Sequence, residues 1–126
     1  MSSLTVQIKG LEKTIKYFST LESKKLPAAI REGQKFAASY VFTVMQNNAP
    51  VDTGRLRSSI KKTAGATDVL VGPDPSIAPY AVWVEHGHHT RSGSWVPGQF
   101  FVKRTATETA AGVQEIFSKV LKLALQ

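Results

Sequence analysis

The chain has 126 residues, 42% of them hydrophobic, with no cysteine and a formal charge of +7. This length suits one domain that buries about two-thirds of its unfolded surface unaided, and the lack of cysteine excludes disulfides, thiolate nucleophiles and cysteine metal sites. No apolar run reaches membrane-span length, the N-terminus lacks the charged-then-apolar pattern of a signal peptide, and the basic excess favours acidic partners, nucleic acid or a complementary protein surface.

In chain order, Leu4-Thr5-Val6-Gln7-Ile8-Lys9 alternates apolar and polar residues, the period of a half-buried strand. Leu11, Ile15, Phe18 and Leu21 recur at helical spacing and predict a short helix over residues 11–23. Lys24-Lys25-Leu26-Pro27 interrupts it, with Pro27 tolerated in the first turn of the next helix. From Ala28, the positions Ile30, Ala37, Tyr40, Val41 and Val44, with Phe36 alongside, predict a long amphipathic helix ending near Asn47-Asn48. Gly33 costs that helix about 1 kcal/mol relative to alanine.

The stretch Ala49-Pro50-Val51-Asp52-Thr53-Gly54-Arg55-Leu56-Arg57-Ser58-Ser59-Ile60 organises the middle of the chain. Pro50 holds Ala49 out of the helical region and stops the incoming helix. Asp52 and Thr53 carry side-chain oxygens suited to free backbone N–H groups, and Gly54 supplies φ freedom. Leu56 and Ile60, four apart, share a face on a short helix, with Arg55 and Arg57 directed outward. Taken alone, the stretch is a capped turn between a helix and a strand.

Residues 58–63 and 68–72 flank Ala64-Gly65-Ala66-Thr67 and predict a β-hairpin. Gly72-Pro73-Asp74-Pro75 is expected as a turn, because prolines do not sit inside a sheet. Residues 77–87 hold Tyr80, Val82, Trp83, Val84 and Glu85, and fit a short helix or a strand equally. The glycines, serines and proline of residues 86–99 predict a flexible loop with no regular element. Val113, Ile116, Phe117, Val120, Leu121 and Ala124 then draw one apolar face on a C-terminal helix beginning near Phe101 or Thr105. No internal repeat divides the chain, which is expected to be a single domain over 1–126.

The residues argue against catalysis. His86, His88 and His89, with Glu85 as a fourth donor, invite a metal reading, but their spacing matches no metalloenzyme pattern. No Gly-x-Ser-x-Gly elbow, Walker loop or dinucleotide fingerprint is present. No cofactor or metal is therefore expected, and an enzyme built on the histidines is the remotest option. Arg55, Arg57, Lys61 and Lys62 form one acid-free basic segment, and Arg91, Lys103 and Arg104 another. Together they either attract phosphates without reading sequence or form a solvated basic face. The alternative function on these residues is a small basic domain that binds nucleic acid nonspecifically.

Asn48 through Ile60 closely resembles the signature of the tail-completion, or head–tail joining, proteins of long-tailed bacteriophages. Val71-Gly72-Pro73 matches that family's strand end, and Tyr80-Ala81-Val82-Trp83-Val84-Glu85-His86-Gly87 its Tyr-Ala-x-x-Val-Glu-x-Gly segment. Pro97-Gly98-Gln99-Phe100-Phe101 loosely matches its Pro-x-x-Phe box. Departures fall in the loop, where Gly87-His88-His89 replaces a common Gly-Thr, and in the box, which lacks a second proline. The resemblance implies an α+β fold, a small antiparallel β-sheet packed against a long central helix and a C-terminal helix. It implies a structural virion protein at the tail neck, assembled in the host bacterial cytoplasm with no membrane stage. The protein would form a homo-oligomeric ring, commonly sixfold, between the tail tube protein and the head connector, and DNA would pass through without sequence readout. Interface residues expected on this reading are Arg55, Arg57, Lys61, Lys62, Glu85, Arg91, Trp95 and Phe100. Trp95 on its loop is the expected anchor against a neighbouring subunit or partner.

Overall fold

A computed structural model of the chain describes residues 4–8, 25–50, 54–64 and 68–124. The elements are β1 (Val6–Ile8), α1 (Lys25–Asn48), α2 (Arg55–Ser59), β2 (Ile60–Ala64), β3 (Val69–Pro73), α3 (Ala81–His86), β4 (Gly87–His89), β5 (Trp95–Pro97) and α4 (Phe101–Ala124). The fold is α+β. The expected helix over residues 11–23 lies outside the described residues.

The main sheet runs β1-β3-β2 with both pairings antiparallel. The expected hairpin is β2–β3, with Ile60 opposite Pro73 and Ala64 opposite Val69. Gly72 and Pro73, expected in a turn, instead end the central strand. The β1 ladder stops at Val71, so Pro73 lies beyond it and its missing N–H removes no bond on that side. Gly72 sits against the Leu4–Thr5 backbone, and a Cβ there would come within 2.8 Å of the Thr5 side chain.

The helix α1 packs against both the sheet and α4. Its buried face is Ile30, Ala37, Ala38, Val41 and Met45, which meet Leu56, Ile60, Val71, Phe101 and Phe117 in one apolar cluster. Phe36, expected beside the core from its apolar character, lies off this face and is 55% exposed. Gln34 is buried there instead and donates to the Ile8 carbonyl at 3.1 Å, joining α1 to β1.

The helices α1 and α4 run antiparallel, from Gly33 beside Phe117 through Tyr40 beside Gly112 to Asn48 beside Thr105. A Cβ on Gly33 would stand 2.8 Å from the Phe117 ring, and one on Gly112 would stand 2.6 Å from the Tyr40 ring. Gly33 thus costs helix propensity but permits close helix contact. The first half of α4 buries Thr105 and Thr109, whose hydroxyls each donate to the carbonyl four residues back at 2.7 Å. Satisfied in this way, threonine occupies a core position that its polarity hides in the sequence.

Candidate functional site

The motif residues become joints between elements. Gly54 takes the left-handed conformation with φ 78°, and α2 starts at the next residue. Asp52 and Thr53, the expected capping residues, lie outside the described residues. Leu56 and Ile60 are both buried in the central cluster. Ser59, fully buried, donates its hydroxyl to the Leu56 carbonyl at 2.6 Å, and its own carbonyl accepts from Asp74 N–H at 2.8 Å. Arg55 is exposed but donates through Nε to the Ile77 carbonyl at 2.8 Å. Arg57, expected on the surface, is only half-exposed, and its buried Nε has no hydrogen-bond partner among the described residues. Asn48 donates from Nδ2 to Thr105 Oγ1 at 3.1 Å and Glu108 Oε1 at 2.9 Å, and its carbonyl accepts from Arg104.

Of residues 77–87, which fit helix or strand by sequence, Ala81–His86 form the helix α3. Glu85, expected at an interface, is 3% exposed and turned inward. Its carboxylate accepts from the backbone N–H of Val102 at 2.9 Å and of Lys103 at 3.0 Å. Those N–H groups belong to the first turn of α4, where no intrahelical acceptor exists and a negative charge is favoured. Glu85 therefore caps α4 from a separate helix, and its carboxylate is not a surface group.

The segment 86–99, expected to lack any regular element, is an antiparallel hairpin, β4–β5, with Gly87 opposite Pro97 and His89 opposite Trp95. Its glycines occupy positions that need them. Gly87 and Gly93 both have φ 89°, and a Cβ on Gly87 would stand 2.7 Å from the Trp95 ring and from the Val96 carbonyl. The tip closes through Thr90 N–H to the Ser94 carbonyl at 2.8 Å and Gly93 N–H to the Thr90 carbonyl at 2.9 Å. At the root, Gln99 N–H donates to the Val84 carbonyl at 2.7 Å and Phe100 N–H to the Glu85 carbonyl at 3.1 Å. One face is backed by α3, where the His88 ring stacks on Trp83 at 5.9 Å. On the other, His89 meets Trp95 edge-on at 5.0 Å, and Trp95 remains 56% exposed. The third histidine, His86, meets the exposed ring of Phe100 at 6.4 Å. Each imidazole is thus paired with an aromatic ring, and among the described residues no group of His, Asp and Glu is placed to hold a metal ion.

A family model for bacteriophage HK97-gp10, described as a candidate tail component, matches residues 12–87. That is more than half of the chain. The chain belongs to the HK97-gp10-like family. Searches of curated proteins and of solved structures give no match. The matched segment contains α1, α2, the β2–β3 hairpin and α3, and ends at the base of the arm. A phage tail component is a structural protein of the virion. Among the described residues no helix of this family member is long and apolar enough to cross a membrane.

In this HK97-gp10-like protein the first basic segment does not form one uncompensated surface. Lys61 pairs with Asp74 at 2.8 Å, while Lys62 lies 5.2 Å from the Phe42 ring centroid. Neighbours on a strand point to opposite faces, which separates the two lysines. The Lys61 ammonium, helped by the Ser76 hydroxyl and N–H, holds the Asp74 carboxyl down at about 2. Of the second segment, Arg91 sits at the hairpin tip and Lys103 lies over Phe100 at 5.8 Å. Arg104 donates to the carbonyls of Gln99 and Asn48.

Proposed function

We propose that this tail component completes the tail, forming a ring that caps the tail tube and presents the surface joining tail to head connector. The observation that carries the reading is how the motif residues inside the family match are used. Asn48, Arg55, Ser59, Gly72 and Glu85 hold elements together, and the large exposed aromatics Trp83 and Trp95 stand at and beyond the edge of that frame. A frame whose described motif residues serve as joints, together with a built apolar projection, suits an assembly protein. On this reading the protein resides in the virion neck, and its excess positive charge faces DNA in the channel through phosphates alone. The nucleic-acid-binding alternative is the weaker reading, because Lys61 is neutralised by Asp74 and Lys62 is turned to the other face.

The test is deletion of the gene from its phage and electron microscopy of the products. Filled heads and tails should accumulate unjoined, and adding the purified protein should restore infectious particles. Intact virions produced without it would overturn the reading.

A further inference from the structure

We propose that the β4–β5 arm is the docking element for a different protein, one presenting an apolar pocket rimmed by carboxylates, and not for a second copy of this chain. The inference deepens the neck reading and rests on it for the kind of assembly involved. A free two-stranded hairpin is marginal in water. Here the tip, the root and the Trp83–His88 stack fix it, so Trp95 is held in place before any partner arrives. Holding an aromatic anchor in its bound geometry lowers the cost of association.

Charge selects the partner. Residues 86–107 contain Arg91, Lys103 and Arg104 and no acid, and the neighbouring Glu85 is buried. The complement of this region is therefore anionic as well as apolar. A second copy is poorly equipped to supply it. Besides the buried Glu85, the acids among the described residues are Asp68, Asp74, Glu108 and Glu115, which already hold Gln7, Lys61, Asn48 and Lys119, and the exposed Glu32 on α1. Apart from Gly87, the arm lies beyond the residues matched by the family model.

Trp83 and Trp95 are the only tryptophans, and both lie at the arm, so intrinsic fluorescence reports on it locally. The full chain is titrated with a random glutamate–tyrosine copolymer, with polyglutamate and with single-stranded oligothymidylate. The copolymer should bind and shift the tryptophan emission, and Trp95→Ser and Arg91→Glu should each weaken binding about tenfold or more, roughly one hot-spot contact. Circular dichroism checks that both variants stay folded. Polyglutamate should bind more weakly and leave the emission unchanged. Sedimentation of wild type and Trp95→Ser across protein concentration should give the same mass. Equal binding of polyglutamate and copolymer, absence of copolymer binding, or tighter binding of oligothymidylate would each overturn the proposal. So would an oligomer that Trp95→Ser dissociates, which would assign the arm to a second copy. The titration reads the arm whether or not the protein joins tail to head, so failure here is separable from failure of the deletion experiment.

Discussion

Replacing Glu85 tests how α4 is anchored. The residue is 3% exposed, and its carboxylate accepts two backbone N–H groups, from Val102 and Lys103. A hydrogen bond to a charged group contributes about 1.5–3 kcal/mol, and the charge adds a further favourable term, about 0.3–2 kcal/mol, at a helix N-terminus. Glu85→Ala removes all of this and leaves the Val102 N–H buried without an acceptor. Allowing for partial relaxation and water entry, the loss should be about 3–5 kcal/mol. Glu85→Gln keeps one acceptor oxygen but turns an amide donor toward a second N–H donor, so about 1–3 kcal/mol is expected. In a chain of this size each kcal/mol lowers Tm by about 3–6 °C. Urea titration monitored by circular dichroism gives the free energies directly. A cost below about 1 kcal/mol for Glu85→Ala, or equal costs for the two variants, would refute the capping role.

Leu56→Ala should lose about 2–5 kcal/mol in the same titration as a large-to-small change in the core, and a loss under about 0.5 kcal/mol would remove Leu56 from it. Gly33→Ala should destabilise instead of gaining the about 1 kcal/mol that helix propensity offers, because its Cβ meets the Phe117 ring, and Phe117→Leu in the same chain should relieve the penalty. For Asp74 the folded pKa, about 2, lies below the ordinary 3.8, so its pairing stabilises the fold above 3.8 and is lost as pH falls through about 2. The Tm difference between wild type and Asp74→Asn should accordingly be greatest above that window and close within it, and a constant difference would contradict the assignment. Zinc should neither raise Tm nor bind stoichiometrically at roughly micromolar concentration, and a one-to-one stabilisation would reopen the histidine site.

The long helix, the C-terminal helix, the β2–β3 hairpin and the buried pair Leu56 and Ile60 are legible in the sequence because periodicity and spacing reflect which face an element buries. Other features are not. Thr105 and Thr109 look polar, and only the carbonyl four residues back makes them core residues. Phe36 looks apolar, but its angular position on α1 takes it off the buried face. The arm reads as loop because Gly87, Gly93 and Pro97 are breakers in general. Here Gly87 and Gly93 take positive φ at the base and turn, and Pro97 ends an edge strand. The motif around Glu85 marks the residue and suggests a surface role, since nothing local shows that a helix beginning sixteen residues later will bring two free N–H groups to it. The ring pairing of the three histidines is equally hidden, because each partner lies on another part of the arm or at its root.

The arm's root has a mechanical consequence. A pull on the hairpin is carried into Gln99 and Phe100, which bond the carbonyls of Val84 and Glu85, while the Glu85 side chain holds the next turn at Val102 and Lys103. Four hydrogen bonds thus tie the arm's root to α3 and α4 across a gap of only a few residues. Force applied at Trp95 is passed through these bonds to α4, and through its seam with α1 to the core.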